Sequence, residues 1–394
     1  MTLQDLARHP HEYACYTTLC RILSGAYPFP STPSDAQEGL ACLETLKLPF
    51  EGSDAFLKLV FETLLQQLTP EWDTTWGSLP TGKLTPTLDC CGTGGSGFAG
   101  RFNVSTTVAV LLASMGTPII KFGNKAVSAK ASTLGSFDFL DVLGLSLSPE
   151  VDLITQHRLF QQTNLWFLFA PRVYPTLGAL QAWRKAYGHP TLFNVLGPML
   201  NPANPTYHWH GVMHPSTQAL MQRLTRLASP FQTPLTRHGA WAWHTTERGF
   251  NHTPHINSGS GYLDEASQEG TLLSMAQGNT PLASTEGLHQ WHQWVSTFHP
   301  LTQAKKAYPV VLPSLSTTQE KLETFHACLK AHASPTYTGW QHTVWLNVVG
   351  CLWHSGKVGS LEEGWDTLSN HLAQGHAWQW YQEVLCQAYQ ATYP

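Results

Sequence analysis

The sequence predicts an α/β fold in which a small helical region precedes a larger domain built on a mainly parallel central sheet. Two observations carry this. Residues 3–25 and 36–69 hold apolar residues at helical spacing (Leu3 and Leu6, then Leu40, Leu43, Leu46, Phe56, Leu59, Val60, Leu64 and Leu68), separated by the proline-rich link Tyr27-Pro28-Phe29-Pro30-Ser31-Thr32-Pro33. From about residue 86 short apolar runs at 87–91, 118–122, 165–170 and 207–213 alternate with helix-like pieces, the pattern of strands joined by crossover helices. The expected division is therefore a mainly helical part over 1–85 and an α/β domain over 86–394.

Each later element has its own local reason. After the strand expected at 87–91, Gly92-Thr93-Gly94-Gly95-Ser96-Gly97 packs four glycines into six positions, and a helical segment starts near Ser105 and runs to Gly116. Glycines between a strand and a helix allow close backbone approach to a ligand. The free N–H groups of the following first turn attract an anion, usually phosphate. Residues 92–106 thus form a candidate phosphate site. The polar stretch from His244 to Gly261 reads as a long surface loop. Residues 339–355 and 361–390 read as helices, the second opened by Ser360 as a cap before Glu362 and Glu363.

Composition narrows the classes. With 394 residues and 42% hydrophobic content the chain has ample material for a core, and the net charge of −4 argues against a general nucleic-acid or anionic-membrane surface. No apolar run approaches the roughly 20 residues needed to span a bilayer. The N-terminal residues lack a signal-peptide pattern, which gives a cytoplasmic expectation. The eight cysteines, at 15, 20, 42, 90, 91, 328, 351 and 386, include no CxxC pair, which argues against a structural zinc site. Adjacent Cys90 and Cys91 on a strand point to opposite faces and suit small buried thiols. His208-Trp209-His210 places two imidazoles on one strand face, but no third metal ligand at helpful spacing is evident in the sequence. The 15 tryptophans are expected in the core and at interfaces.

Taken in order, several motifs resemble one family: the anthranilate phosphoribosyltransferases of tryptophan biosynthesis. The matching pieces are Asp89 to Gly97, Asn103-Val104-Ser105-Thr106, Lys121-Phe122-Gly123-Asn124, Gly135-Ser136-Phe137-Asp138, and Leu192-Phe193-Asn194-Val195-Leu196-Gly197-Pro198 with Asn201-Pro202. Leu346-Asn347 and Ser360-Leu361-Glu362-Glu363-Gly364 follow near the end. The resemblance implies a nucleoside phosphorylase/phosphoribosyltransferase-like fold, whose helical domain is completed by a later insertion at about 172–190. It also implies a homodimer through the helical domain, and transfer of ribose phosphate from phosphoribosyl pyrophosphate (PRPP) to the amine of anthranilate with Mg²⁺. Such chemistry rests on positioning and electrostatics, so no covalent nucleophile is expected.

Carried over by position, the resemblance assigns PRPP to Gly92, Thr93, Gly94, Gly95, Ser96, Asn103, Thr106, Lys121 and Ser136. Asn124 and Arg184 face the acceptor, Arg184 gripping its carboxylate, and Ser105, Asp264 and Glu265 hold metal. The chain also departs from the pattern. Ser96 replaces an acid, and one extra residue precedes Asn103. Phe122 and Tyr174 stand where the family carries histidines on the acceptor side. The segment from Asn124 to Ser136 is three residues longer than is usual in the family, with Ala126, Ala129 and Ala131 in place of serines. For the metal pair a competing alignment places Arg237 to Thr245 at that position, without carboxylates. Two other readings stay open: a pyrimidine nucleoside phosphorylase-like activity, and a catalytically silent relative that binds a ligand or nucleic acid.

Overall fold

The computed structural model describes residues 6–29, 32–67, 86–92, 101–126, 134–145, 151–203, 205–212, 219–221, 223–224, 238–244, 270–274, 281, 284–297, 314–331 and 337–392. Three helices come first: α1 (Pro10–Leu23), α2 (Pro33–Thr45) and α3 (Asp54–Leu65). The continuous helix expected over 36–69 is broken because Pro49 cannot continue the α2 ladder. Ser53 then starts α3 afresh, its side chain accepting from the Phe56 N–H at 3.2 Å. Glu12 of α1 fixes that start, accepting from the backbone N–H and the hydroxyl of Ser53, both at 2.6 Å.

The sheet has six strands: β1 (Leu88–Gly92), β2 (Ile119–Gly123), β3 (Leu165–Phe169), β4 (Tyr207–Val212), β5 (His238–His244) and β6 (Gly270–Ser274). Their spatial order is β3-β2-β1-β4-β5-β6, with β1 to β5 parallel and β6 antiparallel. The first four strands fall within a residue or so of the sequence-based positions. β5 and β6 are additions: His238 to His244 mixes histidine, glycine and alanine with two tryptophans, a weak strand signal. The order reverses at β1, whose neighbours β2 and β4 lead to opposite edges. In open α/β sheets ligands bind beyond the carboxyl ends of the strands at such a switch point. Here that point is Gly92, the first residue of the glycine loop.

The helices divide between the two faces. On one lie α4 (Val104–Ser114), α5 (Ser136–Leu143), α9 (Thr285–Thr297), α10 (Thr318–Lys330), α11 (Thr338–His354) and α12 (Leu361–Ala373). Leu88, Cys90, Ile119 and Trp209 point into this core. Trp209 meets Trp291 edge-on at 5.4 Å, and Gly350 of α11 leaves them room: a Cβ there would come within 2.5 Å of Trp209. The run expected to be helical over 361–390 bends after Gly375, which adopts φ 74°. It continues through α13 (His376–Trp380), a π-helical turn Tyr381–Cys386 and α14 (Gln387–Thr392).

The other face carries Ile120, Phe122, Trp166 and Leu168 into a second core shared with α1, α2 and α3. Into it also pack α7 (Pro175–Tyr187), reached from α6 (Leu153–Thr163) and β3 by the single turn Ala170–Val173, and α8 (Leu192–Met199). Trp183 of α7 is fully buried, and its indole N–H donates to the Tyr27 carbonyl at 3.3 Å. The chain around 190 is tied to the end of α2: the Leu192 N–H donates to the Leu46 carbonyl at 2.6 Å and Leu48 returns the contact to Pro190 at 3.1 Å. Among the described residues no helix is long and apolar enough to cross a membrane.

Candidate active site

β1 ends at Gly92, and Thr93, Gly94, Gly95 and Ser96 lie outside the described residues. Lys121, on β2 beside β1, is 2% exposed. Its ammonium donates to the Cys90 carbonyl at 2.7 Å and to Ser105 Oγ at 3.1 Å, joining the end of β1 to the first turn of α4. Neither of these two acceptors carries a formal charge; the lysine's charge acts on the buried Asp89, helping to hold that carboxyl below its usual range.

The first turn of α4 presents donors and acceptors of its own. Thr106 Oγ1 is buried with no hydrogen-bond partner, and so is the Asn103 side-chain oxygen. An unsatisfied buried polar atom costs about 1–3 kcal/mol, a cost that a ligand hydrogen bond removes. The Asn103 amide nitrogen donates to the carbonyls of Leu134 and Gly135, at 3.0 and 3.3 Å, which links the helix start to the segment before α5. Ser136 then donates through Oγ to the Asn124 carbonyl at 3.3 Å. Gly123 permits this approach, since a Cβ there would sit 2.3 Å from Ser136 Oγ.

Asp138 completes the arrangement. One carboxylate oxygen accepts from the Ala126 N–H at 2.6 Å and from the Gly135 N–H at 2.8 Å, fastening the two flanks of residues 127–133. Sequence reasoning quoted this aspartate without a role; its place three residues after a helix-starting glycine is the signal of a side chain that reaches back to the cap. Asn124 turns its own side-chain oxygen to the Lys125 N–H at 2.7 Å. Behind the loop a small cavity is lined by Cys90, Ser105, Val108, Trp209, Gly211 and Asn347. Asn347 accepts from the Trp209 indole at 2.8 Å.

Arg184 belongs to a separate cluster, on α7. Its guanidinium donates to the Asn194 side-chain oxygen at 3.2 Å, and that same oxygen accepts the Thr191 N–H at 2.9 Å. The Phe193 ring lies 5.9 Å from it. The surrounding protein pushes this guanidinium down to about 10, which leaves it charged at neutral pH. The two aromatic departures prove to be one contact. Phe122 and Tyr174 are both buried and meet edge-on at 5.9 Å, and the Tyr174 hydroxyl donates to the Leu200 carbonyl at 2.8 Å. Asp264 and Glu265 fall outside the described residues, as does most of the 244–261 loop; the competing segment from His238 to His244 forms β5.

Fold and site together define an α/β protein whose strand order reverses at β1, with a buried lysine and the start of α4 beside the end of that strand. Residues 84–235 match the model of a glycosyl transferase family α/β domain. A curated anthranilate phosphoribosyltransferase of Synechococcus sp. is 30% identical over 299 residues, which is 76% of this chain and 75% of the relative. The chain belongs to the anthranilate phosphoribosyltransferase family. The one from Shouchella clausii is 44% identical over 126 residues, a match spanning 32% of this chain and 35% of that relative. Among solved structures, the anthranilate phosphoribosyltransferase of Thermus thermophilus superposes with a TM-score of 0.62 at 21% identity, covering 97% of this chain and 95% of that one. The Saccharomyces cerevisiae enzyme in complex with PRPP and Mg gives 0.64 at 18%, covering 97% and 93%. These structural matches establish the shared fold.

Proposed function

We propose that this protein transfers the 5-phosphoribosyl group of PRPP to an aromatic amine, anthranilate first, and releases pyrophosphate. The observation that carries the reading is the Lys121 ammonium, buried and held between the Cys90 carbonyl and Ser105 Oγ at the sheet's switch point. Gly92 with Thr93, Gly94, Gly95 and Ser96 would cradle pyrophosphate through backbone N–H groups. The unpartnered Thr106 Oγ1 and Asn103 side-chain oxygen would each take up a hydrogen bond from a PRPP hydroxyl or a bridging water. Ser136, close above Gly123, would close on the phosphates from the other side.

Departure of pyrophosphate leaves an oxocarbenium-like ribose. The site then serves by fixing where negative charge accumulates and where the amine stands. Lys121 does the first, since its charge is preorganised and needs no reorientation as the leaving group separates. Arg184 does the second: a planar guanidinium suits a carboxylate, and Asn194 holds it in place. Asn124 lies between the two clusters in sequence and would border both substrates.

The oxygen-rich donors at α4 fit Mg²⁺, which prefers hydroxyl, carboxylate, phosphate and water oxygens. Ser105 would be one ligand and Asp264 with Glu265 the others; the ion, when bound, supplies neutralising charge to the pyrophosphate. Ser105 Oγ accepts from Lys121, so a metal held by this hydroxyl would share it with the lysine. A cytoplasmic homodimer and a helical unit formed by 1–85 with 172–190 belong to the same proposal. The joint core of α1, α2 and α7 supports the helical unit.

One observation favours a second reading. The Phe122–Tyr174 contact replaces polar groups on the acceptor side by packing, which would suit a different amine or PRPP binding without anthranilate turnover. Loss of anthranilate fluorescence on addition of PRPP and Mg²⁺ supports the first reading. PRPP binding with anthranilate fluorescence unchanged supports the second. Phosphorolysis of an added pyrimidine nucleoside, or a salt-dependent gel shift with nucleic acid, would contradict both.

A further inference from the structure

The sheet face opposite α4 carries four side chains suited to a metal, arranged as two cross-strand pairs. In the parallel register of β1 and β4, Asp89 stands opposite His208 and Cys91 opposite His210. Leu88, Cys90 and Trp209 point to the other face, so the four intervening residues share this one. All four are buried: Asp89 and His210 at 0%, His208 at 1% and Cys91 at 5% exposure.

We propose that Asp89, Cys91, His208 and His210 form a buried tetrahedral site for a transition-metal ion, Zn²⁺ by ligand chemistry, that clamps β1 to β4 beneath the glycine loop. Zinc bonds of about 2.0–2.3 Å place neighbouring ligand atoms of a tetrahedron roughly 3.3–3.8 Å apart. His210 Nε2 lies 3.6 Å from Asp89 Oδ2 and 3.4 Å from His208 Nδ1, both long for a hydrogen bond and both at that spacing. Ligand atoms of Asp89, Cys91 and His210 all fall within 4.8 Å of one another; His208 stands outside that set and touches it only through His210, so its ring must turn toward Asp89 and Cys91 to become the fourth ligand.

A second observation points to an ion. Asp89 Oδ1 is fully buried with no hydrogen-bond partner. Its sister Oδ2 accepts from the Asn201 amide at 2.9 Å, and Asn201 is itself fixed by donating to the Ile120 carbonyl at 2.9 Å. Asn201 thus orients the same oxygen that lies 3.6 Å from His210, and ligating carboxylates are themselves hydrogen-bonded. One thiolate, two imidazoles and one carboxylate suit Zn²⁺ and exclude Mg²⁺ as the preferred occupant. With His208 turned in as the fourth ligand no position is left open, which makes the site structural. It is separate from the Mg²⁺ expected at α4, which lies on the opposite face of the sheet.

The test uses the full, untagged chain, desalted from chelator. Elemental analysis is expected to find one zinc per chain. Replacement by Co²⁺ is expected to give the intense visible bands of four-coordination and a thiolate-to-cobalt charge-transfer band. Cys91→Ser should abolish that band, and Asp89→Asn should sharply weaken metal retention. Asn201→Ala should weaken zinc about 10–100-fold while keeping the band at saturating cobalt. Folded unmutated protein that binds neither Zn²⁺ nor Co²⁺ would overturn the proposal without recourse to any variant. So would a Cys91→Ser protein that keeps both the stoichiometry and the band, since the metal would then sit elsewhere.

Discussion

The two ends of the proposed reaction are built differently. On the PRPP side, polar groups are kept and left with capacity to spare: Lys121 spans Cys90 and Ser105, while Thr106 and Asn103 each keep a bare buried oxygen. On the acceptor side, Phe122 and Tyr174 have become core, packed on each other and closed by the Tyr174–Leu200 hydrogen bond. Arg184, steadied by Asn194, brings charge there. Adjacent residues of β2 embody the contrast, because strand alternation sends Lys121 to one face and Phe122 to the other. One half of the proposed site can thus hold its chemistry while the other changes, because the two side chains pack on opposite faces of β2 although both substrates would meet beyond its end.

The strongest way to break this comparison is Lys121→Ala. Losing a charged hydrogen-bonding group is worth about 1.5–3 kcal/mol, so PRPP affinity measured by calorimetry should fall on the order of 10–100-fold. An unchanged Kd would remove Lys121 from the phosphate site. Phe122→His probes the other half. A histidine there is buried without a partner at a cost of about 1–3 kcal/mol, read as a lowered denaturation midpoint, while PRPP affinity should hold. If PRPP affinity fell equally, the two faces would not be insulated.

Arg184→Ala should raise KM for a carboxylate-bearing acceptor about tenfold, with little change in KM for PRPP. Equal effects on both substrates would indicate damage to the fold. The smallest effect belongs to a remote cap. Asp152 accepts from the Thr155 N–H at 2.6 Å at the start of α6, and this hydrogen bond holds its carboxyl below the usual range. Asp152→Ala should cost about 1 kcal/mol at neutral pH and leave both substrates unaffected. Because the folded-state value is depressed, the contribution is complete above the unfolded value of about 4 and fades as pH falls through the folded one. Denaturation curves of the two proteins should therefore converge in acid.

Much of this was legible in the sequence where the signal is local. Strand positions for β1 to β4 and the helix opening near Ser105 follow from short-range apolar spacing and glycine placement, whereas the insertion containing Arg184 is what the family resemblance implies. The lysine in Pro118 to Phe122 is conspicuous because an apolar strand rarely carries a charge. What escaped is non-local. The pairing of Phe122 with Tyr174 joins residues on different elements, and the bare oxygens of Thr106 and Asn103 depend on surroundings no motif reports. β5 was hidden because glycine and alanine blur its alternation. The sequence argues against zinc for lack of CxxC spacing; the set proposed above depends on the register of two strands over 110 residues apart in order, which no local motif reports.

The most direct measurement is calorimetric titration of PRPP into the unmutated protein and into Lys121→Ala, each with and without Mg²⁺. The account predicts Mg²⁺-dependent binding to the unmutated chain and a loss on the order of 10–100-fold in the variant. Well-folded protein that binds no PRPP under either condition would contradict it, leaving the glycine loop and its buried lysine as scaffold alone.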